Sequence, residues 1–149
     1  MSPARAVEVV RETDLPAEPL WAALSDLPSW PAWLDTVTAL TPLEPGRPAE
    51  VGAAYRLDQP RLPEMVWRIT RWEPGRGFVW RSSRPGIVCT GTHALEATTS
   101  GTRLRLGMTF TGPLSVPAGW LTGRVARTYV EREAEAVVAR ARSLWAAAG

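Results

Sequence analysis

Residues 87–111 read IVCTGTHALEATTSGTRLRLGMTFT, and apolar side chains alternate there with polar ones. This alternation is typical of strands, because successive side chains of a strand point to opposite faces of a sheet. Ser100 and Gly101 interrupt it with a turn, so the stretch predicts two antiparallel strands, over 87–97 and 102–111. Their mainly apolar face carries Ile87, Cys89, Gly91, His93, Leu95, Leu104, Leu106, Met108 and Phe110.

The same period of two extends towards the N-terminus, with turns rich in Pro and Gly between the apolar runs. It predicts further strands over 5–13, 37–43, 51–58, 64–72 and 77–83. Their inner faces are expected to carry Val51 and Tyr55, Trp67, and the pair Phe78 and Trp80. Short turns between consecutive strands favour a seven-stranded antiparallel sheet.

Residues 117–147 change to the period of an amphipathic helix. Charged residues such as Arg132, Glu133 and Glu135 are expected largely off its apolar face. That face carries Val130, Ala134, Val137, Val138, Ala141, Leu144 and Trp145. Two short helices are predicted after the first strand, over 17–26 and 28–35. A curved sheet buries a long helix by wrapping around it, so we expect an α+β helix-grip fold forming one domain over residues 1–149.

Composition excludes several kinds of chemistry. All 17 basic residues are arginine, so no lysine is present to form a Schiff base. With one cysteine and one histidine, the chain offers neither a disulfide nor a cysteine zinc site, and we expect no metal or cofactor. The arginines are scattered, which argues against nucleic-acid binding. No apolar run has the length of a signal or a membrane span, so we expect a cytoplasmic protein without stable membrane insertion.

Three motifs are similar to those of a known superfamily. They are LWAALSDLPSWPAW at 20–33, GTHALEA at 91–97 with GTRL at 101–104, and LTGRVAR at 121–127. With them the chain resembles the START-like (SRPBCC) superfamily, in its polyketide cyclase/dehydrase and lipid-transport branch. The resemblance covers nearly the whole chain and implies a helix-grip fold around a hydrophobic ligand. Carriers, cyclases, hydrolases and sensors share this fold, so the motifs select no single activity.

An interior cavity of this kind is expected to have apolar walls and few polar groups. Gly91 and Gly123 either leave space for a ligand or mark a bulge and a close packing contact. Arg124 or Arg127, in the first turns of the long helix, is a candidate to neutralise a ligand carboxylate, unless it pairs with Glu131 at the surface. The predicted ligand-binding residues are Tyr55, Trp67, Trp80, Cys89, Leu106, Met108, Phe110, Trp120, Gly123 and Arg127.

His93 is the candidate catalytic residue, because it is the only imidazole and lies on the apolar face of a strand. It is suited to general acid–base work on a bound carbonyl compound, or it is a buried histidine that only hydrogen-bonds a neighbour. We interpret Cys89 as a small buried apolar residue rather than a nucleophile. No set of nucleophile, base and orienting group emerges from the sequence.

Two functions therefore remain open. One is binding of a lipid or polyketide-like metabolite, as a carrier or sensor. The alternative is a polyketide cyclase that assists aldol cyclisation and dehydration in the same cavity, which requires hydrogen-bond donors near the developing enolate. A partner-binding patch formed by Trp21, Trp30 and Trp33 ranks behind packing of these residues on the sheet. Monomer and homodimer are both compatible with the sequence.

Overall fold

The computed structural model describes residues 4–113 and 124–149. Its order of strands and helices confirms the predicted order. The elements are β1 (Ala4–Thr13), α1 (Ala17–Ser25), a 3₁₀ turn (Leu27–Ser29), α2 (Trp30–Trp33), β2 (Ala39–Pro42), β3 (Ala54–Asp58), β4 (Met65–Glu73), β5 (Gly77–Arg84), β6 (Ile87–Ala97), β7 (Thr102–Thr111) and α3 (Arg124–Ala148). Residues 117–123 of the predicted helix lie outside the described residues.

The seven strands form one sheet in the order β1-β7-β6-β5-β4-β3-β2, and every neighbouring pair is antiparallel. The first strand thus pairs with the last, with Val7 opposite Met108 and Val9 opposite Leu106. The register of β4 and β5 shifts between Ile69 and Arg71. Such an irregularity bends a sheet and increases its twist, which suits a sheet that curves around a helix.

The boundaries of β2 and β3 differ from the prediction. β3 begins at Ala54 rather than residue 51, since Gly52 adopts a positive φ of 96° that ends the extended conformation. Val51, which we expected on the inner face, is 57% exposed in the turn before β3. The apolar residues further along this strand, Tyr55 and Leu57, are buried as expected.

Helix α3 packs its apolar face against the sheet and α1. The buried positions recur every three or four residues, at Ala126, Val130, Ala134, Val137 and Ala141. Three of these five side chains are alanine, which lets the helix approach the strands closely. Trp145, assigned to the same face, is 45% exposed because it lies near the end of the helix.

Several of the arginines that are scattered along the sequence form ion pairs on the outer face of the sheet. Arg103 pairs with Glu12, and Arg105 pairs with both Glu8 and Glu96 across neighbouring strands. Exposed ion pairs of this kind contribute little to stability individually. They keep the outward positions of β1, β6 and β7 polar and so separate this face from the apolar interior.

Trp30 is the centre of the aromatic core. It is 1% exposed, and its ring lies 5.5 Å from that of Trp80, 6.3 Å from that of Phe78 and 6.0 Å from that of His93. Its neighbour Trp33 is half-buried and donates its indole N–H to Ser29. Trp30 therefore packs α2 onto the sheet, the role that the sequence favoured over a partner-binding patch.

Candidate functional site

Two adjoining cavities lie between the concave face of the sheet and α3. The outer cavity has a volume of about 60 Å³, and its walls include Met65, Cys89, Phe110 and Tyr129. The inner cavity has a volume of about 30 Å³, and its walls include Trp30, Trp80, Gly91, His93 and Leu106. The cavities meet because five residues line both, namely Gln59, Trp67, Met108, Val130 and Glu133.

Most of the residues predicted to bind a ligand lie on these walls. They are Trp67, Trp80, Cys89, His93, Leu106, Met108 and Phe110. Tyr55 is buried opposite Trp67 but lines neither cavity, and burial raises the pKa of its phenol. Arg127 is exposed and lines neither cavity. Trp120 and Gly123 lie outside the described residues, so their binding role stays a prediction.

Gly91 was expected either to leave space for a ligand or to mark a bulge, and the structure shows a close contact with Trp80. It pairs regularly with Trp80 in the β5–β6 ladder, so it marks no bulge. A Cβ atom at position 91 would lie 2.8 Å from Nε1 of Trp80. The glycine therefore makes room for the Trp80 indole, and it also lines the inner cavity.

His93 and Glu133 form a carboxylate–imidazole pair inside the protein. His93 is 5% exposed, and its ring stacks on Phe78 with centroids 4.0 Å apart. Its Nδ1 lies 3.3 Å from the carbonyl oxygen of Phe78, and its Nε2 lies 3.4 Å from Oε1 of Glu133. Both ring nitrogens thus face oxygen atoms that can accept a hydrogen bond. Such a pair can hold and transfer a proton next to a bound molecule.

The expectation that Glu133 lies off the apolar face was wrong. Its side chain is only 19% exposed and lines both cavities. The signal was present in the sequence, because Glu133 comes three residues after Val130 and four before Val137, and both of these are buried. Residues at these spacings share one side of a helix.

The outer cavity adjoins a groove of about 610 Å³ at the surface, and Val125 and Tyr129 line both. The Tyr129 hydroxyl donates a hydrogen bond to the carbonyl oxygen of Pro60 and so links α3 to the β3–β4 loop. The groove also carries Asp35 and three arginines, Arg61, Arg124 and Arg132. None of these arginines has an ion pair with another described residue. Arg124 lines this groove, whereas Arg127 does not.

Cys89 is 2% exposed, and burial raises the pKa of its thiol to about 11. A raised thiol pKa leaves the unreactive protonated form dominant near neutral pH. Relative to an ordinary thiol with a pKa of 9.0, the thiolate fraction at pH 8 falls about 100-fold. We therefore expect iodoacetamide to alkylate the folded protein at least about 100-fold more slowly than the urea-unfolded chain. Equal rates, measured by mass spectrometry, would contradict a buried, inert thiol.

The described residues contain neither a membrane-spanning helix nor a cluster of metal ligands. None of the helices among them combines the length and the hydropathy needed to cross a membrane. No group of three or more His, Cys, Asp or Glu residues in that part of the chain could hold a metal ion.

Comparison with known proteins places this geometry in a family. The model of the family described as polyketide cyclase / dehydrase and lipid transport matches residues 4–144. One similar structure is a point mutant of norcoclaurine synthase from Thalictrum flavum in complex with a transition-state analogue. It superposes with a TM-score of 0.75 at 11% identity, over 96% of this chain and 97% of that chain. The Zhui aromatase/cyclase from Streptomyces sp. R1128 superposes with a TM-score of 0.73 at 18% identity over 99% of both chains.

At these identities the two structures share the fold with this chain, and they do not by themselves establish a common activity. No curated protein matches the sequence significantly. The family match covers almost the entire length, including every described strand and most of α3. The chain therefore belongs to the polyketide cyclase / dehydrase and lipid transport family.

Proposed function

We propose that this protein binds a hydrophobic small molecule, a lipid or a polyketide-like metabolite, between the sheet and α3, and acts as its carrier or sensor. The observation that carries the proposal is the position of the two cavities inside the grip, the outer of which is mainly apolar and adjoins an open groove through Val125 and Tyr129. Apolar walls with a few polar groups are what a small-molecule site requires. The family and the aromatase/cyclase neighbour support a ligand of this kind.

The ligand has to displace side chains in order to enter. Cavities of about 60 and 30 Å³ are far smaller than the roughly 300–1,000 Å³ typical of ligand sites. Met65 and Met108 line the outer cavity, and methionine side chains adapt readily because they are unbranched. The groove is wide enough to keep a polar end of the ligand outside, next to Arg61, Arg124 and Arg132, where a carboxylate or phosphate would be neutralised.

Filling the outer cavity tests this proposal. Ala126 is buried on α3 and lines that cavity, so Ala126→Leu places a larger side chain where the ligand would lie. We expect an uncharged anilinonaphthalene probe to bind this variant at least about ten-fold more weakly than the wild type, measured by fluorescence titration. Overpacking is expected to lower the free energy of unfolding by no more than about 1–3 kcal/mol.

Ala146→Leu is the matched control, because Ala146 is exposed on the same helix and lines neither cavity. It should leave probe affinity and stability unchanged. Unchanged affinity in Ala126→Leu together with a loss of stability would show that the region is solid core, and the proposal would fail. Native mass spectrometry of the purified protein would identify a copurifying ligand directly.

A second function, cyclisation of a poly-ketone in the same site, is favoured by one observation. The His93–Glu133 pair lies at the inner cavity, where it can hold and transfer a proton. An aldol cyclisation requires removal of a proton from a carbon between two carbonyl groups and protonation of the alkoxide that forms. The pair supplies both steps without a metal or an additional base.

A further inference from the structure

Three polar atoms in the described part of the chain are shielded from solvent and make no hydrogen bond. They are the indole Nε1 atoms of Trp30 and Trp67 and the Oε1 atom of Glu133. All three residues line the inner cavity of about 30 Å³. Buried polar groups without partners are rare in folded proteins, because each loses its bonds to water and gains none in return. Three around one cavity indicate that a partner belongs in it.

The chemistry of these three atoms identifies the partner. An indole N–H can only donate a hydrogen bond, and an ionised carboxylate can only accept one. A hydroxyl group accepts two hydrogen bonds and donates one. It therefore offers the two acceptor sites and the one donor that Trp30, Trp67 and Glu133 lack. A carbonyl oxygen would offer Glu133 no donor, so its Oε1 atom would keep only the 3.4 Å contact with Nε2 of His93. An ammonium group would leave both indoles without an acceptor.

We propose that the inner cavity binds a hydroxyl group of the ligand, which accepts hydrogen bonds from Trp30 and Trp67 and donates one to Glu133. This inference rests on the proposed function, since it names the chemical group that the bound molecule carries at its buried end. His93 faces the same carboxylate through Nε2, so Glu133 links the hydroxyl to the imidazole.

The surroundings favour an aromatic or enolic hydroxyl over a water molecule. A water molecule fits a cavity of this volume and offers the same hydrogen bonds. However, the inner cavity is not isolated, because Met108 and Val130 line it and the outer apolar cavity alike. A ligand whose apolar body fills the outer cavity would end at the inner one. There the indole rings of Trp67 and Trp80 lie 5.5 Å apart and provide a wall for a flat ring.

Matched ligands test the hydroxyl without changing the protein. Para-cresol, para-methylanisole and toluene share one ring, but only cresol both donates and accepts, and methylanisole only accepts. Each competes with the anilinonaphthalene probe in a fluorescence displacement assay. We expect cresol to bind wild-type protein at least about ten-fold more tightly than toluene, because it satisfies atoms that toluene leaves unpaired. Methylanisole should bind less tightly than cresol, because it can accept from the indoles but cannot donate to Glu133.

Substitutions then locate the hydroxyl. Trp30→Phe and Trp67→Phe each remove one donor and keep an aromatic ring, so each should reduce the preference for cresol over toluene to about three-fold. Trp72→Phe is the control, since Trp72 packs against Trp21 and lines neither cavity. It should keep the full preference.

The outcomes separate this inference from the proposed function. If the probe binds but cresol and toluene displace it equally, or if cresol does not displace it, the hydroxyl site is overturned and a trapped water is the partner. A preference that survives in Trp30→Phe and Trp67→Phe also overturns it. If the probe fails to bind wild-type protein at all, the proposed function is overturned as well.

Discussion

Replacing Trp30 with alanine is expected to lower the free energy of unfolding by about 3–5 kcal/mol, the range found when a large buried aromatic residue is truncated. Trp30 is 1% exposed, and its ring contacts those of Phe78, Trp80 and His93. Its removal leaves a cavity between α2 and the sheet that these rigid rings fill poorly. Chemical unfolding followed by far-UV circular dichroism measures the change independently of tryptophan fluorescence.

Trp145→Ala is the matched control. It deletes the same side chain from α3, but Trp145 is 45% exposed and outside the core. The expected change is within about 0.5 kcal/mol, as for most surface substitutions. If both variants lose the same stability, Trp30 does not hold the short helices on the sheet as described.

If the protein cyclises a poly-ketone, His93→Gln is expected to lower the rate by about 10²–10⁴-fold, as does loss of a general acid–base group. Glutamine retains much of the size and hydrogen bonding of histidine but does not titrate in this range. In the step concerned, a carbon–hydrogen bond between two carbonyl groups breaks and its proton moves to the His93–Glu133 pair. The resulting carbanion forms a carbon–carbon bond with a second carbonyl, and the pair returns a proton to the new alkoxide.

Three comparisons make this prediction specific. Glu133→Gln should lower turnover over a similar range, and the double variant should be no slower than the worse single variant, because the two residues act as a unit. Probe binding should persist in His93→Gln, which separates chemistry from binding. Turnover retained in His93→Gln would give His93 a structural role. Absence of turnover in the wild type with every poly-ketone tested would leave binding as the function.

The strands and the long helix could be predicted because each depends on local periodicity. Alternation along 87–97 places Cys89, Gly91 and His93 on one face, and all three are buried. The three-to-four spacing on α3 gives Val130, Ala134 and Val137 in the same way. Strand ends were less predictable, because a single positive φ at Gly52 decided where β3 begins.

The sequence by itself determined the fold class, the order of the elements and most of the residues that face the interior. Only the tertiary structure decided that Glu133 meets His93, and that Trp30, Trp67 and Glu133, each with an unpaired polar atom, line one cavity. These contacts join residues from α2, β4, β6 and α3, which are far apart along the chain. They depend on how α3 is rotated and how deeply it sits in the sheet, and packing of small side chains such as Ala134 sets both. Periodicity identifies which face of a helix or strand is buried. Where that face lies relative to elements distant in the sequence depends on packing alone.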